Sequence, residues 1–183
     1  MKNKLLLLLI AAALIIPQSA KAQEKASASS ASIQTSIAAK HGFDNRAKIL
    51  QRYLESKDSP LALFANEFVT DADKYNLDWR LVAAISGVES TFGQAIPPYS
   101  YNGWGWGVYG DNVIRFKSWP DGINTVSQGL RERYMDGWGG KDIYQIGAMY
   151  ASSPAWANHV NFYLNNIDSF VASNPEQSLS LSL

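Results

Sequence analysis

Apolar residues recur every three or four positions through most of residues 42–172, the spacing of helix faces turned toward a core. Asp44 can cap a first helix that carries Ile49, Leu50, Tyr53 and Leu54. Ser59-Pro60 opens a second, with Leu61, Phe64, Phe68 and Ala72 on one face, and Asn76 breaks it. Asp78 caps a third, whose stripe is Leu81, Val82, Ile85 and Val88; Gly93 and Pro97-Pro98 stop it. Ser118, with Asp121 three residues on, resembles a capping box before a helix bearing Ile123, Val126, Leu130 and Tyr134. Gly137 to Gly140 breaks the chain, and short helices are expected near Asp142–Met149 and Ala155–Phe170. The rhythm fails over Tyr101–Phe116, where glycines and aromatics gather around Gly110-Asp111-Asn112; that suits a hairpin or an ordered loop. The expected fold class is mainly α, an α+β domain with one small β-hairpin or loop.

The ends follow other patterns. Met1-Lys2-Asn3-Lys4 precedes an unbroken apolar run from Leu5 to Ile16, then Pro17 and Ala20-Lys21-Ala22. A basic start, a short apolar stretch and an A-x-A site form the pattern of a secretory signal peptide, here residues 1–22. A spanning helix needs about 20 apolar residues, so export without a stable membrane span after processing is expected, with an uncleaved anchor as the alternative. Residues 23–41 are rich in Ser and Ala and read as a linker; residues 173–183 read as a disordered tail. One folded domain, 42–172, lies between them.

Composition then narrows the chemistry. The chain carries 16 Lys and Arg against 16 Asp and Glu. Loss of Lys2, Lys4 and Lys21 with the signal leaves 13 basic residues against 16 acidic, a net charge of about −3. No basic cluster supplies the footprint of a nucleic-acid binder. The absence of Cys excludes a disulfide framework, a thiolate metal site and a cysteine nucleophile, so packing alone must stabilise the domain. His41 and His159 read as surface or helix-end residues, and neither a metal nor a cofactor is expected. The expected state is a monomer.

Glu89 carries the strongest chemical signal. It lies seven residues after Val82 and four after Ile85, so it continues the buried stripe of the third helix. A poorly solvated carboxyl has a raised pKa and can hold a proton near neutral pH for delivery to a leaving group. The alternatives are a Glu that swings to solvent or pairs with Arg80 or Arg115. An aromatic, glycine-rich loop follows, Tyr99 to Tyr109. Aromatic rings offer apolar faces to the C–H faces of sugars, and glycines let a ligand approach the backbone. An acid beside such a groove suggests glycosidic cleavage, against a plain aromatic minicore under a loop. All six tryptophans fall between Trp79 and Trp156; Trp104 and Trp106 are the groove candidates, the others are read as packing and Trp156 is left open.

Four motifs in order resemble a known group. They are Glu89-Ser90-x-Phe92-Gly93; Asn102-x-Trp104-Gly105; Phe116-Lys117-Ser118-Trp119; and Tyr150-Ala151-Ser152-Ser153-Pro154-Ala155-Trp156-Ala157. The set is similar to that of lysozyme-like peptidoglycan-cleaving enzymes. It resembles most the bacterial endo-β-N-acetylglucosaminidases of autolysin and flagellar type, glycoside hydrolase family 73, and more weakly the lytic transglycosylases. The chain departs from that family where Trp106 and Gly107 replace an aliphatic residue and Lys.

The resemblance implies a lysozyme-like helical domain whose partner is the glycan strand of peptidoglycan. Glu89 would be the general acid, with Tyr150 supporting catalysis; a core tyrosine is the other reading of Tyr150. Ser90, Tyr101, Asn102, Trp104, Gly105, Trp106 and Tyr109 would meet the substrate. A two-carboxylate mechanism needs a second acid, and Asp111 is the candidate on the loop, though Asp also suits a turn there for its own hydrogen bonding. Two mechanisms stay open. In one, the substrate's N-acetyl group or a second acid supports hydrolysis. In the other, Glu89 acts as acid and then base in a transglycosylation that leaves anhydro-muramic ends. A non-catalytic glycan-binding module and a docking protein with exposed aromatics are the remaining alternatives.

Overall fold

A computed structural model describes residues 45–107 and 112–173, and these are mainly helical, as the periodicity predicts. The expected signal segment, the linker, Asp44, Tyr109, Asp111 and residues 174–183 lie outside the described residues.

Helix α1, Asn45–Glu55, buries Ile49, Leu50, Tyr53 and Leu54, the four positions that its periodicity selects. Ser59 then caps a 3-10 turn, Pro60–Phe64, by accepting a hydrogen bond from the Leu61 N–H (3.0 Å), and α2, Ala65–Lys74, follows without a break. The single helix expected after Ser59-Pro60 is thus a tight turn running into an α-helix. Leu61, Phe68 and Ala72 are buried and Phe64 packs half-buried beside them. Asn76 ends the segment in a left-handed conformation (φ 50°).

Helix α3, Leu81–Ser90, is the centre of the domain, buried on every face from Leu81 to Gly87. Asp78 does not cap it directly. Its carboxylate accepts from the Arg80 N–H (2.9 Å) in the turn before, and the helix starts at Leu81. It also stops earlier than Gly93, because Thr91 turns left-handed. Helix α4, Trp119–Gly129, begins at Ser118, whose Oγ accepts from the Asp121 N–H. The box closes one residue further out than the usual form: Asp121 accepts from the N–H of Lys117 (2.9 Å).

The expected continuation of α4 through Tyr134 changes character at Leu130. Residues Leu130–Gly137 form a π-helical turn. Arg131 ties this turn to the end of α2, through the carbonyls of Tyr75 (2.7 Å) and Asn76. Helix α5, Ile143–Tyr150, is capped by Asp142, which accepts from the N–H groups of Tyr144 and Gln145. Helix α6, Trp156–Ser173, packs along α3 and extends through Ser173, where the tail was expected to begin.

One hydrophobic core threads these helices, from Leu50 and Leu54 through Ile85 and Trp104 to Val126, Val160 and Ile167. Each such buried side chain contributes about 1.5–3 kcal/mol of apolar transfer before entropy is counted. The expected hairpin is represented among the described residues by one bridge residue, Asn112, and no strand; its turn, 108–111, lies outside them.

Candidate active site

The site sits where α3 runs out of core. Val88 and Glu89 are half-buried on the last turn, next to helix positions that are wholly covered. Thr91 and Phe92 then both take left-handed conformations (φ 51° and 57°). Such backbone costs about 1–2 kcal/mol per residue, and the surroundings must hold it. They do so by burying Phe92 against Tyr53 and Tyr163. The Phe92 N–H donates to Ser86 (3.0 Å), and its carbonyl accepts from Ser59 Oγ (2.7 Å). The chain therefore reverses sharply just beyond the acid, leaving its carboxyl at an open helix end.

Burial pushes the Glu89 carboxyl above the usual carboxylate range, and a hydrogen bond from Trp156 pulls it partly back. The C-terminal end of a helix disfavours a carboxylate as well. Trp156 Nε1 donates to Glu89 Oε1 at 2.6 Å. The other oxygen, Oε2, faces Gly105, where a Cβ would stand only 3.0 Å from it. Neither Arg80 nor Arg115 reaches the acid by any recorded bond. Arg80 pairs with Asp78 and Asp168, and Arg115 donates to the Pro98 carbonyl.

A cleft of about 370 Å³ opens over this carboxyl, with Glu89, Gly105, Tyr150, Ser152, Trp156 and His159 among its walls. Two further clefts share its walls. One of about 190 Å³ continues past Gly105 and Tyr150 to Trp106, Arg133, Tyr134 and Trp138. The other, of about 300 Å³, continues past Ser152 and Ser153 to Tyr144 and Pro154. Glu89 thus lines a cleft that adjoins a second at Gly105 and Tyr150 and a third at Ser152 and Ser153; the three clefts are together termed the furrow.

The expected site residues divide by role. Gly105 lines the cleft beside the acid, with little room there for a larger residue. Tyr150 walls the cleft with a ring stacked on Trp156 (4.7 Å between centroids, 23° between planes). Its hydroxyl donates to the Trp104 carbonyl at 2.7 Å, so that proton is committed to the backbone. Burial pushes the Tyr150 phenol well above its usual range, and the neighbouring Glu89 adds to the shift. Trp106 is half-buried in the adjoining cleft.

The other expected positions among the described residues lie outside the Glu89 cleft. Trp104 is fully buried, and its ring N–H donates to the Val82 carbonyl at 2.9 Å. The ring expected on the groove wall is therefore core, because the chain turns its side chain down onto α3. Ser90 is buried and donates to the Gly103 carbonyl (2.7 Å) while accepting from the Gly93 N–H (2.9 Å). Asn102 is buried too: its amide donates to the carbonyls of Trp106 (2.9 Å) and Ile114 (3.0 Å), and its oxygen accepts from the Trp106 N–H (3.0 Å). Both residues shape the loop that carries Gly105 rather than lining the cleft. Tyr101 packs edge-on against Trp119 and lies outside the Glu89 cleft.

Among the furrow residues that the sequence did not single out as site residues are Trp156, His159 and Arg133. Trp156 stood inside a quoted motif, yet its link to Glu89 spans 67 positions and leaves no local signal. Among the described residues no cluster of His, Cys, Asp or Glu could hold a metal ion, and no helix is long and apolar enough to cross a membrane. In comparisons with known proteins, no family model and no curated protein matches this chain.

Proposed function

We propose that the protein is an exported peptidoglycan hydrolase on a lysozyme-like domain. It cleaves β-1,4 bonds between amino sugars of the wall glycan in the manner of an N-acetylglucosaminidase. The carrying observation is Glu89: a half-buried carboxyl with a raised pKa in the wall of an open cleft, one oxygen held by Trp156 and the other beside Gly105. The aromatic walls, the row of adjoining clefts and the four motifs support the choice of a glycan polymer.

In this reading the protonated Glu89 gives its proton to the glycosidic oxygen as the bond from C1 to that oxygen breaks. The oxocarbenium-like centre is then captured by water, whose proton returns to Glu89. Glu89 is the sole carboxylate that lines the cleft among the described residues. A cation stabilised by the substrate's own N-acetyl group needs no further carboxylate. Nor does a second reading, transglycosylation, in which a hydroxyl of the muramic sugar adds instead of water and closes an anhydro ring.

Digestion of purified peptidoglycan, with mass analysis of the sugar ends, separates these outcomes. Reducing ends mean hydrolysis and anhydro-muramic ends mean transglycosylation. Glu89→Gln is expected to retain the fold and to lower fragment release by about 10²–10⁴-fold, the contribution of a positioned general acid. Undiminished release by a folded Glu89→Gln protein overturns the proposal. Binding of glycan by the unaltered chain with no release makes it a glycan-binding module. Export is tested by the secreted chain's mass, expected to correspond to an N-terminus at Gln23.

A further inference from the structure

We propose that the cleft beside Glu89, on the Trp106 side, is a subsite for a sugar that carries a carboxylate, with Arg133 as the residue that reads the acid. The proposal rests on the glycosidase reading and adds the orientation of the polymer to it.

The furrow is chemically lopsided. Among the described residues, Arg133 is the one charged side chain lining the Trp106-side cleft, and none lines the Tyr144-side cleft. Four other arginines of the domain are engaged: Arg46 with Asp73, Arg131 with Asp136 and two carbonyls, Arg80 with Asp78 and Asp168, and Arg115 with a carbonyl. Arg133 is exposed, and its guanidinium has no ion pair or hydrogen bond among the described residues. Its guanidinium is a planar fork matched to a carboxylate, and one such group with no second cation lining the cleft fits a singly charged anion.

The rest of the cleft suits a sugar ring. Trp138 is 55% exposed and meets Tyr134 edge-on at 4.9 Å. Tyr134 in turn contacts Tyr150 at 5.5 Å, and Trp106 contacts both. These rings form a ladder from solvent to the stacked pair beside Glu89, with N–H and O–H groups at its edges for hydroxyls. Arg133 and Tyr134 stand together on the π-helical turn, a rare geometry that recurs at functional sites. Since the cleft shares Gly105 and Tyr150 with the Glu89 cleft, a sugar held there is the neighbour of the bond being cut. A polymer that alternates acidic and neutral amino sugars would place the acidic unit on the Arg133 side.

The test uses the full chain bearing Glu89→Gln, so that turnover does not consume the ligand. Calorimetric titrations compare a neutral N-acetylglucosamine tetramer, a tetrasaccharide alternating N-acetylglucosamine with N-acetylmuramic acid, and the methyl ester of the latter. Adding Arg133→Gln is expected to weaken the acidic tetrasaccharide about tenfold, equivalent to about 1.4 kcal/mol, and to leave the neutral tetramer within about twofold. The ester should bind the Arg133 chain as weakly as the acid binds the Arg133→Gln chain. Arg133→Lys, which keeps the charge but not the fork, should fall between. If both sugars bind and Arg133→Gln changes neither, the subsite is overturned and the glycosidase reading stands. If neither sugar binds and Glu89→Gln digests peptidoglycan like the unaltered chain, both fall together.

Discussion

Trp104 and Trp106 stand two residues apart in one loop, yet they belong to different regions of the molecule. Trp104 is wholly buried, its ring edge-on to Phe116 and Trp119 and its N–H spent on α3. Trp106 is half-buried on the furrow side, close over Gly129, where a Cβ would meet its ring at 2.3 Å. The residue type is the same, and the backbone makes the difference. Gly105 and Gly107 both adopt positive φ (60° and 61°), so the chain reverses around Trp106 and sends alternate rings to opposite sides. An aromatic in a loop is thus neither core nor wall by nature; the glycines around it decide.

The largest expected effect breaks the core side. Trp104→Ala removes a large ring from a fully packed position together with its hydrogen bond to the Val82 carbonyl, a loss of about 3–5 kcal/mol. Denaturant melting measures it. Trp106→Ala should cost clearly less stability, because its ring is already partly in solvent, while lowering glycan affinity more. If the two variants melt alike, the division between core ring and cleft ring is wrong.

The next effect lies on the residue between them. Gly105→Ala places a Cβ about 3.0 Å from Glu89 Oε2 at a φ of 60°. The left-handed backbone alone costs about 1–2 kcal/mol, a shift of a few degrees in melting temperature. Activity should fall further than that cost implies, by up to about 10²-fold, since displacing a reacting group by about 1 Å can cost that much. Parallel melting and fragment-release assays compare the two. Equal activity in a slightly destabilised chain would place the reacting proton away from Oε2.

The same contrast shows what was legible in the sequence. Helix positions were, because a period of 3.6 is a local signal: all four apolar residues chosen for α1 are buried, as are Ile123, Val126 and Leu130 further on. Glu89 stood out for the same reason, although α3 is covered on every face, so the acid is set apart by its place at the open end rather than by a stripe. The switch from α to π geometry at Leu130 was not legible, since Leu130 and Tyr134 fit a continuing α period equally well. Nor was the sorting of Ser90, Asn102 and Trp104 into the scaffold. Ser90 and Asn102 satisfy backbone groups of the loop and Trp104 a carbonyl of α3, and a motif quotes such residues beside true cleft residues without distinguishing them. Trp156 shows the converse: its bond to Glu89 depends on α6 lying along α3, a tertiary fact.

The smallest and most discriminating effect concerns that bond. Burial raises the Glu89 pKa and the Trp156 N–H lowers it, so removing the N–H leaves burial unopposed. In Trp156→Phe the alkaline limb of the pH–rate profile is therefore expected to move to higher pH, while the plateau rate falls by about tenfold as the carboxyl loses its anchor. Stability carries the same sign. A folded pKa raised above the ordinary 4.5 contributes stability below that value, and this is lost as pH rises through the folded value. Above it, the unaltered chain still holds the ionised Glu89 with one donor, whereas Trp156→Phe buries it without that donor. The gap in melting temperature between the two should widen with pH and narrow in acid. A limb that stays in place, with a gap independent of pH, would mean that Trp156 only packs beside the acid; burial at the end of α3 would then have to account for its proton alone.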